Sequence, residues 1–250
     1  MKMFRLAFSL CLIASTITVL FSSAEGAESD GHAQTLPART SHEPGKTPGI
    51  AARDAGADAK LIDLTNYYTL ALNEDASGNF GYTLSSLPRG VQRIGNIDYD
   101  LRGVVQVSGQ QLVTAKRDFP ETVKGMRVRL KCQKLCFLGA TQWSEDRGVQ
   151  IGTYVVHYIN GDKEEIPIRY GMDVRDWFTR RNPATRPAAN ARPPVPAAIW
   201  TSADKDKAGV EYSLFEKRWT NPNPDLEIVS IDLVSAMTNA APFLVAITAQ

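Results

Sequence analysis

The stretch that decides the fold is IGTYVVHYINGDKEEIPIRYGMDVRDWF, which runs from Ile151 to Phe178. Its first part, Ile151–Ile159, is rich in the β-branched and aromatic residues that favour strands. Asn160-Gly161 is a dipeptide preferred in tight type I′ turns, because both positions tolerate positive φ. The chain then returns through Lys163–Tyr170. The pattern predicts a β-hairpin, followed by a polar and aromatic run, Tyr170–Trp177.

The first strand of this hairpin has no plainly polar face. Tyr154 and Val156 lie on one side of the predicted strand, while Val155 and Ile159 lie on the other. Strands with two apolar faces are typically covered on both sides, so we expect this strand to be central in its sheet. His157 lies within it, and we expect a hydrogen-bonded histidine in the core.

The rest of the domain is also rich in strands. On the order of ten short strands, separated by Gly, Pro and Asn turns and without a long helical period, predict an all-β jelly-roll β-sandwich, with a barrel as the alternative. The length of residues 60–250 suits a single domain with its own core. The other predicted strands are Leu61–Tyr68, Gly90–Ile94, Ile97–Ser108, Met126–Leu130, Lys134–Trp143, Ala198–Trp200, Val210–Trp219, Glu227–Met237 and Phe243–Thr248.

The N-terminus has the layout of a targeting segment. A basic start precedes an uncharged apolar stretch, Leu6–Phe21, and small residues follow it, with cleavage after Ala24 or Ala27. Residues 1–24 are therefore predicted to be a secretory signal peptide. An uncleaved anchor is the alternative, but the apolar stretch is shorter than the ~20 residues that a spanning helix needs. We expect an exported mature chain, periplasmic or extracellular, without a membrane span.

Residues 25–59 are predicted to be a flexible linker. They are rich in Ala, Gly, Pro and Ser and contain almost no large apolar side chains, so they cannot bury enough surface to offset chain entropy. His32 and His42 lie here and are interpreted as incidental rather than as a metal site.

The charge of the chain is close to balanced. It has 28 basic and 27 acidic residues, and loss of Lys2 and Arg5 with the signal peptide would change the net charge from +1 to −1. The sequence has no basic stripe of the kind that nucleic-acid binding requires, so we expect no nucleic-acid partner.

The run that follows the hairpin is the best candidate for a ligand-binding site. Tyr170 and Trp177 provide aromatic faces, Arg175 provides a fork of donors, and Asp173 and Asp176 provide acceptors. Sugars are bound by this combination, because their hydroxyls need paired donors and acceptors while the apolar face of the ring stacks on an aromatic side chain. The alternative is structural: the arginine pairs with one aspartate to close a loop, and the tryptophan fills the edge of the sandwich.

Other large side chains have mainly structural interpretations. Trp143 follows a predicted strand and joins the candidate ligand-binding residues, although packing in the core or at the sandwich edge is the favoured interpretation for it and for Trp200. We expect Trp219 in the core. Arg102 follows two aspartates and is expected in an ion pair rather than in a ligand contact.

The sequence contains no catalytic signature. No serine lies in a Gly-x-Ser-x-Gly motif, and no catalytic residue is assigned. A glycosidase needs only two carboxylates at a fixed separation, and a chain with many acids leaves that open. Structural calcium is the one cofactor considered, through Asn73–Asp75 and Asn96–Asp100, but turn formation by Asp and Asn explains both clusters equally well.

Cys132 and Cys136 are the cysteines expected in the mature chain. Export permits a disulfide. On one extended strand their Cα atoms would be ~13 Å apart at ~3.3 Å per residue, beyond the ~7 Å that a disulfide tolerates. A turn between them would shorten the distance, but two separate buried thiols are favoured.

With these strands in place, the sequence resembles the galactose-binding-like β-sandwich domains of bacterial extracellular proteins, a group that includes many carbohydrate-binding modules. The resemblance implies a jelly-roll fold and glycan binding, without assigning binding residues. The stretches that carry it are IDLTNYY at Ile62–Tyr68, LSSLPRGVQRIGNIDYDLRGVVQVSG at Leu84–Gly109, GTYVVHYINGDKEEIPIRYGMDVRDW at Gly152–Trp177, and IVSIDLVSAMTNAAPFLVAITAQ at Ile228–Gln250.

Three functions remain as hypotheses. The first is an exported, non-catalytic module that binds a glycan on a shallow surface holding Arg175, Trp177 and Trp143. The second is a structural or protein-interaction domain of the periplasm or cell envelope, which would show an apolar surface patch. The third, less favoured, is a glycan-active hydrolase with two acids in a cleft.

Overall fold

The computed structural model describes residues 43–78, 80–180 and 196–250. These residues belong to one compact unit, Arg39–Gln250. The predicted signal peptide and the first part of the predicted linker lie outside the described residues, as do His32 and His42.

The described chain is all-β, as predicted, apart from one short helix. Its elements are β1 (Leu70–Ala71), β2 (Gly90–Ile94), β3 (Ile97–Leu101), β4 (Gly103–Gln106), α1 (Gln110–Thr114), β5 (Thr122–Leu130), β6 (Lys134–Gln142), β7 (Gln150–Tyr158), β8 (Lys163–Arg169), β9 (Phe178–Arg180), β10 (Trp200–Ala203), β11 (Val210–Thr220), β12 (Ile228–Ser235) and β13 (Ala241–Ala249).

The strands form two antiparallel sheets and a hairpin. The larger sheet has the order β1-β4-β13-β6-β11-β10, with β9 also paired to β11; the smaller has the order β5-β12-β7-β8, and β2 pairs with β3. The two sheets pack in the manner of a β-sandwich. Phe137 of β6 stacks on Tyr154 of β7 across the interface, with ring centroids 4.1 Å apart.

The core is organised around β13, whose nine residues are all buried. Each fully buried Val, Leu, Ile or Phe side chain contributes roughly 1.5–3 kcal/mol relative to an exposed one. β13 lies between β4 and β6 and approaches β6 closely at Gly139, where a Cβ atom would lie 2.3 Å from the carbonyl oxygen of Phe243. Glycine is therefore required at this position, because the opposing atom is backbone and cannot give way.

The predicted hairpin is present as β7 and β8, but its turn differs from the prediction. Tyr158 N donates to Asp162 O at 2.9 Å, and Gly161 N donates to Tyr158 O at 3.0 Å. Gly161 has φ +91°, whereas Asn160 is not in the positive-φ region. The loop thus has three residues, a type I turn with a glycine bulge, and the type I′ prediction was wrong. Hydrogen bonds between Asn160 and Asp162 favour this arrangement.

β7 lies between β12 and β8, so it is an inner strand, but only one of its faces is fully buried. Tyr154, Val156 and Tyr158 point into the sandwich, while His157 is half-buried on the outer face. The predicted core position of His157 is wrong, because no second layer covers this face in the part of the chain that the structure describes. The expected hydrogen bond is present, from Nε2 to Asp232 Oδ2 at 2.9 Å.

The predicted strand Leu61–Tyr68 does not form. Leu61 makes a single bridge to Thr248, and the chain then turns. Asp63 Oδ1 accepts hydrogen bonds from the backbone and hydroxyl of Thr65, a local interaction that competes with strand pairing.

Part of the predicted linker packs on the domain. Arg53 Nη1 donates to Asp100 Oδ2 at 3.0 Å and Nη2 donates to Leu61 O at 2.6 Å. Thr47 Oγ1 donates to Tyr68 O at 2.9 Å. Specific polar contacts therefore hold part of residues 43–59 against the domain.

The predicted ion pair of Arg102 is confirmed. It is 2% exposed, and it donates to Asp100 Oδ2 at 2.9 Å and to Asp63 Oδ1 at 2.6 Å. Removing one partner from such a buried pair typically costs about 3–5 kcal/mol. Arg53 shares Asp100, so this network also connects residues 43–59 to the sheets.

The two cysteines are separate and buried, as favoured from the sequence. Burial raises the pKa of Cys132 and of Cys136 to about 11. Trp219 was expected in the core, but it is only half-buried at its margin because it lies near the end of β11. Within the described ranges, no helix is both long enough and apolar enough to span a membrane.

Candidate functional site

Two surface clefts adjoin the segment that follows β8. The first, here called the aromatic cleft, has a volume of about 420 Å³ and the second, the neighbouring cleft, about 470 Å³. Asp176 and Phe178 line both. The aromatic cleft is also lined by Asp75, Ser77, Phe80, Tyr82, Gln142, Trp143, Trp177 and Arg180.

Five of the six predicted ligand-binding residues line these clefts. Trp143 and Trp177 lie in the aromatic cleft, Tyr170 and Arg175 lie in the neighbouring cleft, and Asp176 lies in both.

The sixth predicted residue, Asp173, has a structural environment. Its Oδ1 pairs with Lys217 Nζ at 2.7 Å, and its Oδ2 accepts a hydrogen bond from Arg169 N at 2.8 Å. These contacts close the turn after β8, a role that the sequence left open.

Hydrogen bonds fix the segment 175–177 between two strands of the larger sheet. Thr141 N donates to Arg175 O at 3.1 Å, and Trp177 N donates to Thr141 O at 3.0 Å. On the other side, Ser213 N donates to Trp177 O at 2.7 Å. Asp176 is thereby held on a rigid backbone beside the end of β6.

Trp177 forms the floor of the aromatic cleft. It is 5% exposed, and its ring stacks on Tyr212 with centroids 4.9 Å apart and an interplanar angle of 13°. Its Nε1 donates to Gln142 Oε1 at 2.8 Å. Most of the indole is therefore committed to the interior, which matches the edge-filling alternative.

Gln142 supplies a free donor to the cleft. Its side chain is 9% exposed, and Oε1 is taken by Trp177. Its Nε2 donates to no atom within the part of the chain that the structure describes. This unused amide donor at the cleft is available to a polar ligand.

Asp176 is the acid of the cleft. Burial raises its pKa to about 6, against the opposing effects of a hydrogen bond from Phe178 N and the charge of Arg175. Oδ1 accepts that bond at 3.1 Å. Near pH 6 the carboxyl is therefore partly protonated, and it can donate to or accept from a hydroxyl group.

The exposed aromatic rings of the cleft were not predicted. Phe80 is 59% exposed, and the Tyr82 ring lies 4.4 Å from that of Phe178. Lys207 Nζ lies 4.1 Å from the centroid of Tyr82. The sequence did contain an indication of them: two aromatic residues lie in a glycine-rich loop, where core packing does not require aromatic side chains.

Asp75 organises the loop that carries these rings. Its carboxylate accepts hydrogen bonds from the backbone and hydroxyl of Ser77, at 2.8 and 2.6 Å, and from Phe80 N and Gly81 N, at 2.9 and 2.6 Å. Burial opposes ionisation, but these bonds outweigh it and lower the pKa of Asp75. Turn formation thus accounts for this acid, one of the considered calcium ligands.

The other considered calcium segment has a similar explanation. Asp98 pairs with Arg93 across the β2–β3 hairpin, with Nη2 and Oδ2 2.7 Å apart. In residues 43–78, 80–180 and 196–250, no three or more His, Cys, Asp or Glu side chains form a group that could hold a metal ion.

Trp143 has an unusual backbone. Its φ is +59°, in the left-handed region, which is rare for a bulky residue and costs of order 1–3 kcal/mol. Such strain is found preferentially where a side chain must be aimed at a ligand. The residue follows β6 directly and is half-buried, with part of its ring available to the cleft.

No protein-family model and no curated protein matched this sequence when it was compared with them. Function is therefore inferred from the two clefts and from the strand arrangement.

Proposed function

We propose that this chain is an exported, non-catalytic module that binds carbohydrate in the aromatic cleft. The observation that carries the proposal is the meeting of aromatic and polar groups in one open cleft. Tyr82, Trp143 and Phe178 offer apolar ring surface, while Gln142 Nε2 and Asp176 offer hydrogen bonds. A pyranose needs both, because its hydroxyl groups lie around a ring with apolar faces.

We further propose a jelly-roll arrangement of the galactose-binding-like kind. The order of strands supports it: β4-β13-β6-β11 in one sheet and β5-β12-β7-β8 in the other. From β4 to β7 the chain alternates between the sheets, as paired Greek keys require. In this arrangement the aromatic cleft lies at one end of the sandwich, where loops are free to vary.

The ligand is proposed to be a glycan or another polar component of the cell envelope, with no nucleic acid involved. Export rests on the predicted signal peptide. The envelope-interaction alternative has less support, because it calls for a contiguous apolar patch. The large apolar side chains that are exposed in the described chain belong to five separate segments: Phe80, Val91, Val113, Ile159 and Met172.

A glycan-active hydrolase is the second candidate, favoured by one observation. The aromatic cleft holds two acids whose pKa values are shifted in opposite directions, that of Asp176 upward and that of Asp75 downward. Such divergence is typical of acid–base pairs. However, Asp75 already accepts four hydrogen bonds from its own loop, so it has little capacity to activate water. We therefore favour binding without catalysis.

A glycan array tests the proposal with wild-type protein, Trp143→Ala and the matched control Trp219→Ala, since both tryptophans are half-buried. We expect wild type and control to bind the same glycans and Trp143→Ala to bind them at least about tenfold more weakly, from lost stacking and desolvation. Equal binding by all three proteins, or no glycan bound by folded wild type, would refute the assignment. Release of reducing ends from a bound glycan would favour the hydrolase.

A further inference from the structure

The outward side of β5 carries positive charge along its whole length. Lys124, Arg127 and Arg129 in β5, and Lys131 just after it, are all exposed. None of the four forms an ion pair with an acid in the described ranges. We call this the basic edge, because β5 is an outer strand of the smaller sheet.

A β-bulge places these charges on one side. β5 uses three steps from Val123 to Met126 where its partner β12 uses two, from Leu233 to Ile231. Gly125, within the bulge, has φ +71°. In a regular strand, Lys124 and Met126 would share a face. The extra residue breaks that alternation, so Met126 is buried while Lys124 and Arg127 are both exposed.

The charges form a line rather than a cluster. In a regular strand at ~3.3 Å per residue, side chains two or three residues apart lie roughly 7–10 Å from one another. A second register shift, between Arg127 and Leu130, shortens this spacing locally, and Arg129 has φ +56° there. Across the sheet, Arg127 is in register with Ser230, Ser230 with His157, and His157 with Lys163. Lys163 is exposed and adds a further cation to this face.

The acid that contacts β5 is already engaged. Asp232 Oδ1 accepts a hydrogen bond from Gly125 N at 2.7 Å, and Oδ2 lies 2.9 Å from His157 Nε2. Its side chain is 15% exposed. Glu165 is exposed two residues from Lys163 on β8, which is the edge of the sheet opposite to β5. The four cations of the basic edge therefore face solvent without local neutralisation.

Protection of the sheet edge explains only part of this pattern. Charged residues and bulges both discourage edge-to-edge aggregation. The bulge already supplies that protection, and charges of either sign would serve. The chain as a whole is nearly balanced, with 28 basic and 27 acidic residues. Four cations along one strand in such a chain favour an anionic partner.

We infer that the basic edge binds an acidic polysaccharide, a linear glycan bearing carboxylate or sulfate groups. A row of cations along one strand matches a polymer with repeated anions, and association is strengthened by release of its counterions. No aromatic side chain lies in β5, so stacking of nucleic-acid bases has no platform there. Its apolar residues point inward, which leaves nothing to insert into a membrane. The inference is independent of the aromatic cleft.

The test compares wild type with Arg127→Glu/Arg129→Glu and with the control Arg89→Glu/Lys205→Glu, which makes the same change in net charge at exposed positions elsewhere. The probes are polygalacturonate, heparin, neutral dextran, single-stranded DNA and anionic phospholipid vesicles. Thermal unfolding confirms that each variant is folded. The two reversed residues remain charged, so they still protect the sheet edge from aggregation. A variant that loses binding without aggregating therefore shows that the cations recognise the ligand.

We expect wild type and control to bind polygalacturonate or heparin but not dextran. Affinity should fall roughly tenfold or more between 50 and 200 mM salt, and at least about tenfold in the Arg127→Glu/Arg129→Glu protein. Trp143→Ala should bind as wild type does, which distinguishes this surface from the aromatic cleft. Equal binding by reversal and control proteins would overturn the inference. So would binding to DNA or vesicles without binding to either acidic polysaccharide.

Discussion

Asp176 and Trp143 have environments that depart from the ordinary. Asp176 lies where the two clefts meet, and burial raises its pKa to about 6. Trp143 holds a left-handed backbone conformation that a bulky residue adopts only at a cost. At the scale of single residues, the raised pKa of Asp176 and the backbone strain of Trp143 each predict a measurable effect on stability.

Asp176→Asn should change how stability depends on pH. The folded-state pKa of Asp176, about 6, exceeds its ordinary value of 3.8. The stability linked to its proton is therefore fully present below pH 3.8 and lost as the pH rises through 6. The free energy of unfolding of wild type, relative to Asp176→Asn, should fall between pH 4 and pH 7 by on the order of 2 kcal/mol, allowing for partial exposure. Urea titrations at several pH values measure this, and parallel profiles would contradict it.

Trp143→Gly should be more stable than Trp143→Ala. Glycine adopts φ +59° without strain, whereas alanine does not, so the difference should be about 1 kcal/mol in favour of glycine. In an ordinary strand the order is reversed, because glycine is the more costly residue there. Denaturant unfolding of the two variants decides between these orders, and both should bind glycans more weakly in the aromatic cleft.

At the scale of elements, local contacts redirect what the pattern of apolar residues predicts. Strand β2 has the predicted bounds and β3 begins where predicted, after a turn at Gly95-Asn96, but the predicted strand Ile97–Ser108 is divided into β3 and β4. The predicted strand Leu61–Tyr68 fails because Asp63 forms a local turn with Thr65. The β7–β8 loop acquires an extra residue for a similar reason, since Asn160 bonds to Asp162.

Gly161→Ala should destabilise the protein more than Asn160→Ala does. Gly161 has φ +91°, so alanine there costs about 1 kcal/mol or more through backbone strain, although no atom lies within 4 Å of the added Cβ. Asn160 has a negative φ, and its loss removes only exposed hydrogen bonds. The two changes in unfolding free energy, measured in urea, should differ clearly. A type I′ turn would instead need positive φ at both residues.

At the scale of the whole molecule, two sheets close around one core that also seals both thiols. Cys132 is 8% exposed and Cys136 is 0% exposed. Each has a pKa raised to about 11, so neither carries much reactive thiolate near neutral pH. The fold therefore protects two free cysteines from oxidation.

A thiol reagent should label Cys132 and Cys136 only when the molecule opens. At pH 8 the thiols of the native protein should react far more slowly than a small free thiol. In concentrated urea both thiols should be labelled rapidly. Reductant should leave the unfolding midpoint unchanged, because no disulfide joins them. Rapid labelling of native protein, or a reductant-dependent midpoint, would show that the thiols are accessible or bridged.

The sequence by itself determined the all-β class and most strand positions, because strand propensity and turn residues are local properties. It also marked Trp143 and Asp176 as candidate binding residues. It could not place Phe80 and Tyr82 beside them, since these residues come from a loop some 60 or more positions away and meet the others only in the fold.

Tertiary structure decided which faces are covered and what each polar group contacts. It moved His157 to an outer face, committed Trp177 to the interior, and used a bulge to turn Lys124 and Arg127 to the same side. The physical reason is common to all three. Burial and hydrogen-bond partners are fixed by residues distant in the chain, and neither composition nor periodicity records which distant residues will meet.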